Sequence, residues 1–275
     1  MSSTQTPVEP ACVSPLKSVT HSTAPSSIIE SKAQPICKPL GIEVPEYHPV
    51  IITIDGPAGT GKSTVARQLA ARLGLDFLDT GAMYRAAAAI MIDRKIPEDD
   101  IGELVSTVLG ADLHFDWQED PPTILAWDHP IDHRIRHEDV TGLVSFVATI
   151  GELRHHMVRK QRVIGAQHPR LVTEGRDQGS VVFPDAAIKF YLDADPEVRA
   201  QRRIAQLGLE ESVGLEEMCQ RIIKRDKTDS SRSDGPLVCP DDAIRIDTAQ
   251  HDLQGVVDLL EKLTRERISR LIGTE

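Results

Sequence analysis

The sequence predicts an α/β domain in which helices wrap a parallel sheet. Three observations carry that prediction: the β-branched run Val50-Ile51-Ile52-Thr53-Ile54, a glycine-rich turn behind it that opens a helix, and strand–helix alternation through the rest of the chain. The run after Pro49 is short and apolar on both faces, as buried parallel strands are. Val65, Ala66, Leu69, Ala70 and Leu73 recur at helical spacing, and Gly74 suits the end of that helix. A short strand over Asp76–Leu78 leads into a helix through Met83–Ile92, and Pro97-Glu98 is expected to open another that ends near Gly110. Across 111–136, Leu113, Phe115 and Trp117, then Thr123–Trp127 after two prolines, predict a small antiparallel insertion. Helical patterning returns over 138–164 as two helices broken near Gly151. Strands are expected at Arg170–Thr173, Ala187–Leu192 and Ala243–Asp247, with a last amphipathic helix over 253–271.

Composition bounds the function. With 275 residues and 40% hydrophobic content the chain can bury a core. Its 31 Lys+Arg against 42 Asp+Glu give a net charge of −11, which disfavours nucleic acid and anionic membrane as partners, so any basic site must be local. No apolar run approaches the roughly 18 to 20 residues that span a bilayer, and the first 30 residues lack a secretion signal. The expectation is a cytoplasmic monomer acting on small molecules. Cys12, Cys37, Cys219 and Cys239 have neither metal-site spacing nor the density of a disulfide framework. Residues 1–49 hold 8 of the 18 prolines, and Pro, Ser and Thr fill 20 of those 49 positions, a composition that predicts a disordered extension before a domain over 50–275.

The strongest single signal is Gly56-Pro57-Ala58-Gly59-Thr60-Gly61-Lys62-Ser63, which fits G-x-x-x-x-G-K-[ST] and sits between a strand and a helix, where the mechanism requires it. Its glycines permit the tight turns that aim successive N–H groups at an anion, and the helix N-terminus adds its positive dipole end. Gly56 to Ser63, with Thr64 beside them, are the expected nucleotide contacts. Lys62 is expected on the terminal phosphates, the Ser63 hydroxyl on Mg²⁺, and Asp55 in support of the metal. Switches, motors and kinases share this loop, so it alone does not name a reaction.

Arginines supply the second half of the argument, because they cluster. Asp79-Thr80-Gly81-Ala82-Met83-Tyr84-Arg85 sets a hydroxyl and an arginine at a helix start, suited to a monophosphate ester through Thr80, Tyr84 and Arg85. Glu174-Gly175-Arg176-Asp177-Gln178-Gly179 follows a strand, at the carboxyl edge where open α/β sheets bind ligands. Arg199, Arg202 and Arg203 fall at i, i+3 and i+4, so one helix face is expected to turn all three to a phosphate-rich partner. Arg225, Asp229 and Arg232 form a last cluster, in which Arg225 and Asp229 equally fit a surface ion pair.

In order and spacing, Ile54–Ser63, Leu78–Arg85, Gly175–Gly179 and Val181-Val182-Phe183-Pro184-Asp185 closely resemble bacterial cytidylate kinases from about 50 to 270. The resemblance implies a P-loop nucleoside-monophosphate-kinase fold: a five-stranded parallel sheet, an acceptor-binding insertion over 111–136 and a mobile lid over 195–232. It implies transfer of the ATP γ-phosphate to CMP or dCMP with Mg²⁺. It places Ser145, Arg154 and Asp177 around cytosine, Arg85, Arg176 and Arg232 on the acceptor phosphate, and Arg225 and Asp229 at the ribose and neighbouring oxygens. Lys62, Arg176 and the lid arginines Arg199, Arg202 and Arg203 would act in catalysis. The sequence departs from the family at Glu174, where many relatives carry Asp, and at Thr228 and Ser230, where some carry arginine. The competing readings are a kinase of another small acceptor, such as UMP, AMP or shikimate, and a nucleotide-dependent switch.

Overall fold

The structure, a computed structural model, describes residues 49–209 and 211–273. The extension expected over 1–49 lies outside that range apart from Pro49. In chain order the described elements are β1 (Val50–Asp55), α1 (Lys62–Leu73), β2 (Asp76–Asp79), α2 (Thr80–Asp93) and α3 (Ile101–Gly110). A three-stranded antiparallel sheet follows, made of β3 (His114–Asp116), β4 (Thr123–Ala126) and β5 (His129–Pro130). Then come α4 (Glu138–Val147), α5 (Gly151–Gln167), β6 (Arg170–Gly175), β7 (Ile188–Asp193), α6 (Pro196–Leu207), α7 (Leu215–Ser230), β8 (Ile244–Asp247) and α8 (Leu253–Leu271).

Five parallel strands make the main sheet, in the order β2-β6-β1-β7-β8. This is the α/β class the alternation predicts. Side chains alternate across β1, so Ile52 and Ile54 join α1 and α8 in a core on one face, while Ile51 packs into the core on the other, beside α2 and α5. Ala86, Ala87, Ala88 and Ala89 of α2 are all buried, and their small side chains let neighbouring elements close around that helix from several sides. No helix among the described residues is long and apolar enough to cross a membrane.

Two local features differ from the sequence reading. The helix expected from Pro97 begins at Ile101, because Asp100 accepts the Glu103 N–H at 3.0 Å as an N-cap, while its own N–H donates to the Pro97 carbonyl at 3.1 Å. After β6 the chain makes one π-helical turn, Gln178–Val182, that no hydrophobic period announces.

The register decides where chemistry can happen. Asp55 at the end of β1 lies level with Gly175 on β6 and Tyr191 on β7, so the segments leaving β1 and β6 start side by side at the carboxyl edge. Behind them, α5 approaches the chain so closely at Gly165 that an added Cβ would lie 2.5 Å from Phe183 Cε1. Gly165→Ala should therefore overpack this contact and cost about 1 to 3 kcal/mol, seen as a fall of several degrees in the melting temperature by calorimetry.

Candidate functional site

The phosphate loop is folded for anions. Gly56, Gly59 and Gly61 hold φ of 146°, 83° and 86°, and a Cβ at Gly56 would stand 2.0 Å from the Leu192 carbonyl oxygen, so the first glycine is required by both dihedral and space. Thr60 Oγ1 and Lys62 Nζ both donate to the Pro57 carbonyl, at 3.2 and 2.7 Å. Lys62 is buried, and burial, followed by the fields of Arg176 and Arg225, pushes its ammonium down to about 7. Ser63 Oγ donates to Glu174 Oε1 at 2.7 Å, while Thr64 sits exposed beside it on the first turn of α1.

Three carboxylates organise the floor. Asp55, expected near the metal, instead accepts the Gln178 and Gly179 N–H groups at 2.9 and 2.7 Å, so its carboxylate is committed to the π-helical turn. Its burial outweighs those two bonds and raises it to about 7. Asp79 caps α2 by accepting the Ala82 N–H at 3.0 Å, and burial together with the Glu174 charge raises its carboxyl. Thr80 Oγ1 donates to the Glu174 carbonyl at 2.7 Å, which fixes the start of α2 to the end of β6. Glu174 thus meets the Ser63 hydroxyl through its side chain and the Thr80 hydroxyl through its carbonyl.

A second cluster converges from four helices. Arg85 Nη1 on α2 donates to Thr141 Oγ1 of α4 at 3.0 Å. Arg154 of α5, 1% exposed, donates to the Asp177 carboxylate with its guanidinium carbon 5.7 Å from the centre of the Tyr84 ring, and Asp234 lies 3.9 Å from Arg154 Nε. Burial raises the Asp177 carboxyl despite that arginine. Ser145 stands half-buried on α4. Arg176 Nε donates to Asp229 Oδ2 at 2.9 Å, so the buried partner of Asp229 is Arg176 and not its helix neighbour Arg225. Burial alone would raise Asp229, but Arg176, Arg225 and Arg232 outweigh it and hold the carboxyl below its ordinary range. Arg232 Nε donates to the Asp229 carbonyl at 3.2 Å. Arg225 Nε and Arg232 Nη2 are buried without a hydrogen-bond partner among the described residues.

The three α6 arginines diverge. Arg199 Nε donates to the Ala194 carbonyl at 2.8 Å and its Nη1 to the Ala58 carbonyl at 3.1 Å, while Arg202 bonds Thr248 Oγ1 and O at 2.8 and 2.7 Å. Arg203 reaches Gln206 at 2.9 Å. Helical spacing put these residues near one face; backbone carbonyls at the two sides of the helix take two of them in different directions.

A family model described as cytidylate kinase matches residues 52–266. The chain belongs to the cytidylate kinase family. It is 37% identical to a cytidylate kinase of Geobacter sp. (strain M21), over 80% of this chain and 95% of that protein, and 41% identical to one of Methylococcus capsulatus, over 76% and 94%. A bifunctional pantoate ligase/cytidylate kinase of Synechococcus sp. (strain JA-3-3Ab) is 43% identical over 80% of this chain, but only 41% of that longer protein is covered. Among solved structures, a shikimate kinase from Bacteroides thetaiotaomicron is similar at 14% identity and a TM-score of 0.40, over 78% of this chain and 98% of that one. That likeness is too remote to bear on the acceptor.

Two groups of this cytidylate kinase site escaped the sequence reading of residue roles. Glu174 stands out in the sequence as a charged residue and as a departure from the family, but its bond to Ser63 depends on the β1–β6 register. Asp226 accepts the Ala58 N–H at 3.3 Å from α7, a contact across 168 positions of chain that no local motif marks. Family membership also gives the depressed Lys62 ammonium a consequence. A bound polyphosphate favours the charged form, so the complex holds a proton that the free enzyme with Lys62 near 7 has already lost at higher pH. ATP binding should therefore take up close to one proton at about pH 8 and almost none below about pH 6. Calorimetry in buffers of differing ionisation heat measures this uptake, which Lys62→Met should abolish.

Proposed function

We propose that this enzyme moves the γ-phosphoryl group of ATP to CMP or dCMP, giving ADP and CDP or dCDP. The observation that carries the reading is the convergence of cations that weaken one another. Lys62 is depressed by burial, then Arg176 and Arg225; Arg225, half-buried, is lowered to about 10 by burial, then Arg176, with Arg85 and Arg203 adding to it. Arg85 is lowered by burial and by Arg203 and Arg176 as well. Cations held together at such a cost fit a partner with several negative charges, which two facing phosphate chains supply.

Beside this cluster the Arg154–Asp177 pair offers a reason for choosing cytosine. A carboxylate accepts from the exocyclic amine of cytosine, whereas uracil presents an oxygen there and would meet repulsion and an unpaired polar group. In this reading Arg85, Arg176 and Arg232 take the acceptor phosphate, Arg225 and Asp229 the ribose and adjacent oxygens, and Ser145 and Tyr84 the base wall. The acceptor oxygen is already a nucleophile at neutral pH, so alignment and charge neutralisation dominate and no general base is needed.

Mg²⁺ fits the residues present. No group of three His, Cys, Asp or Glu that would cage a metal occurs among the described residues. That agrees with an ion held mainly by phosphates and water, with the Ser63 hydroxyl as ligand and Glu174 beside it to order a water. When bound, the ion neutralises charge on the donor phosphates. Helices α6 and α7 would act as the lid, bringing Arg203 and Arg225 to the transferred group and excluding water.

The direct test is ADP release from ATP and Mg²⁺ across CMP, dCMP, UMP, AMP and shikimate. Cytosine acceptors should exceed the others by at least about tenfold in kcat/KM; preference for AMP or shikimate, or no stimulation by any acceptor, refutes the reading. A sharper test is Asp177→Asn. The amide can turn its NH₂ to the 4-oxo group of uracil or its oxygen to cytosine, while leaving Arg154 with only the more distant Asp234 as anion. Activity with CMP should fall by about 1 to 3 kcal/mol, and the CMP-to-UMP ratio of kcat/KM should drop at least tenfold. Equal losses with both acceptors would move base selection to Ser145 and Arg154.

A further inference from the structure

Helices α6 and α7 share a small core of their own, Ala200, Ile204, Met218 and Ile222, separate from the two cores of the sheet. Besides the bonds of Arg202 to Thr248 and of Asp229 to Arg176, the pair is placed by bonds to the phosphate loop. Those bonds meet at one residue. Both backbone groups of Ala58 are taken: its N–H donates to Asp226 Oδ1 of α7 at 3.3 Å, and its carbonyl accepts from Arg199 Nη1 of α6 at 3.1 Å. The same Arg199 Nη1 donates to Asp226 Oδ2 at 2.5 Å, which closes a triangle of loop, α6 and α7. Gly59 makes the approach possible, since a Cβ there would lie 3.0 Å from Arg199 Cβ and 3.1 Å from its carbonyl oxygen.

Charge accounts for the acid. The Arg199 and Asp226 side chains are 5% and 18% exposed, so the guanidinium needs a neutralising anion close by, and Asp226 supplies it while staying bonded to the loop. One turn earlier and later on α7 stand Ile222, in the shared core, and Asp229, on Arg176. Arg225 is the immediate neighbour of Asp226, so a shift of the latter off the loop carries Arg225 with it.

We infer that Asp226 is a positioning residue: through Arg199 and the Ala58 peptide it latches the α6–α7 pair onto the phosphate loop and so sets Arg203 and Arg225 against the transferred phosphoryl group. The inference rests on the kinase reading above for its kinetic consequence, but the latch itself is a property of the fold.

Asp226→Asn keeps the shape and removes the charge. Expected are a fall in kcat of about tenfold with KM for CMP changed by less than about threefold, and amide exchange across 196–230 faster by about tenfold with the sheet strands unchanged. In a double-mutant cycle with Arg199→Gln, the double variant should be no worse than about threefold below the Arg199→Gln single one, because the Arg199–Asp226 pair is already broken there. Unchanged exchange over 196–230, additive losses in the cycle, or a uniform rise in exchange with a lower melting temperature would each overturn the latch. Exchange is read without any acceptor. A parent enzyme that fails to phosphorylate CMP therefore refutes the acceptor reading alone, while the exchange comparison still decides the role of Asp226. Should the asparagine variant not fold, Arg199→Lys, which keeps the charge but loses the forked contact, must show the same local exchange change.

Discussion

The site hangs on one buried carboxylate. Asp55 ends the central strand, and its two oxygens accept the N–H groups that begin the turn after β6. That single side chain fastens the start of the phosphate loop to the start of the segment carrying Arg176 and Asp177. The price is a charge in the core, and its raised pKa of about 7 records that desolvation. Both oxygens of the acid directly before the loop are therefore committed to backbone donors.

Around this anchor the protein assembles charges that do not suit one another. Lys62, Arg85, Arg176, Arg203 and Arg225 stand in each other's fields, and Asp229 is shared: it bonds Arg176, whereas Arg225 feels its charge while its Nε is buried without a hydrogen-bond partner among the described residues. Such an arrangement is unfavourable in the free protein and becomes favourable once phosphates enter. Preorganised charge of this kind does not have to be gathered during the reaction, so its cost is met in folding and not at the barrier. Lys62 shows the compromise in miniature: its bond to the Pro57 carbonyl parks the ammonium on the loop that it serves.

Most of the framework was legible before any coordinates. Three signals, the β-branched run, the loop glycines and the repeated alternation, depend on residues close in sequence, and local rules govern them. The phosphate loop, the start of α2 and the turn after β6 were likewise readable because each keeps its chemistry within about eight residues. What escaped was set by register. Glu174 meets Ser63 because β6 lies beside β1, and Asp226 reaches Ala58 because α7 folds over the loop. Spacing at i, i+3 and i+4 puts Arg199, Arg202 and Arg203 near one face, but it does not tell which partners they take: Arg199 bonds the Ala58 and Ala194 carbonyls, Arg202 bonds Thr248 and Arg203 bonds Gln206. The Pro97 helix start failed for a related reason, since Asp100 offered a better cap than Pro97 offered a first turn.

One helix and the segment after it touch three parts of the candidate site. Along α7 and the segment after it, Asp226 touches the donor loop, Asp229 holds Arg176, and Gly235 lies against the Arg154–Asp177 pair. The last contact is close enough that a Cβ at Gly235 would stand 1.8 Å from Arg154 Nη2, and the backbone there holds a φ of 58° that favours glycine. Leu237 N–H returns to the Asp229 carbonyl at 2.9 Å, so this segment and the helix end move together. The segment 226–235 is thus bonded to the phosphate loop at Asp226 and packed against the Arg154–Asp177 pair at Gly235. The phosphate loop and the Arg154–Asp177 pair are therefore joined by one short stretch of chain, with no path through the sheet required.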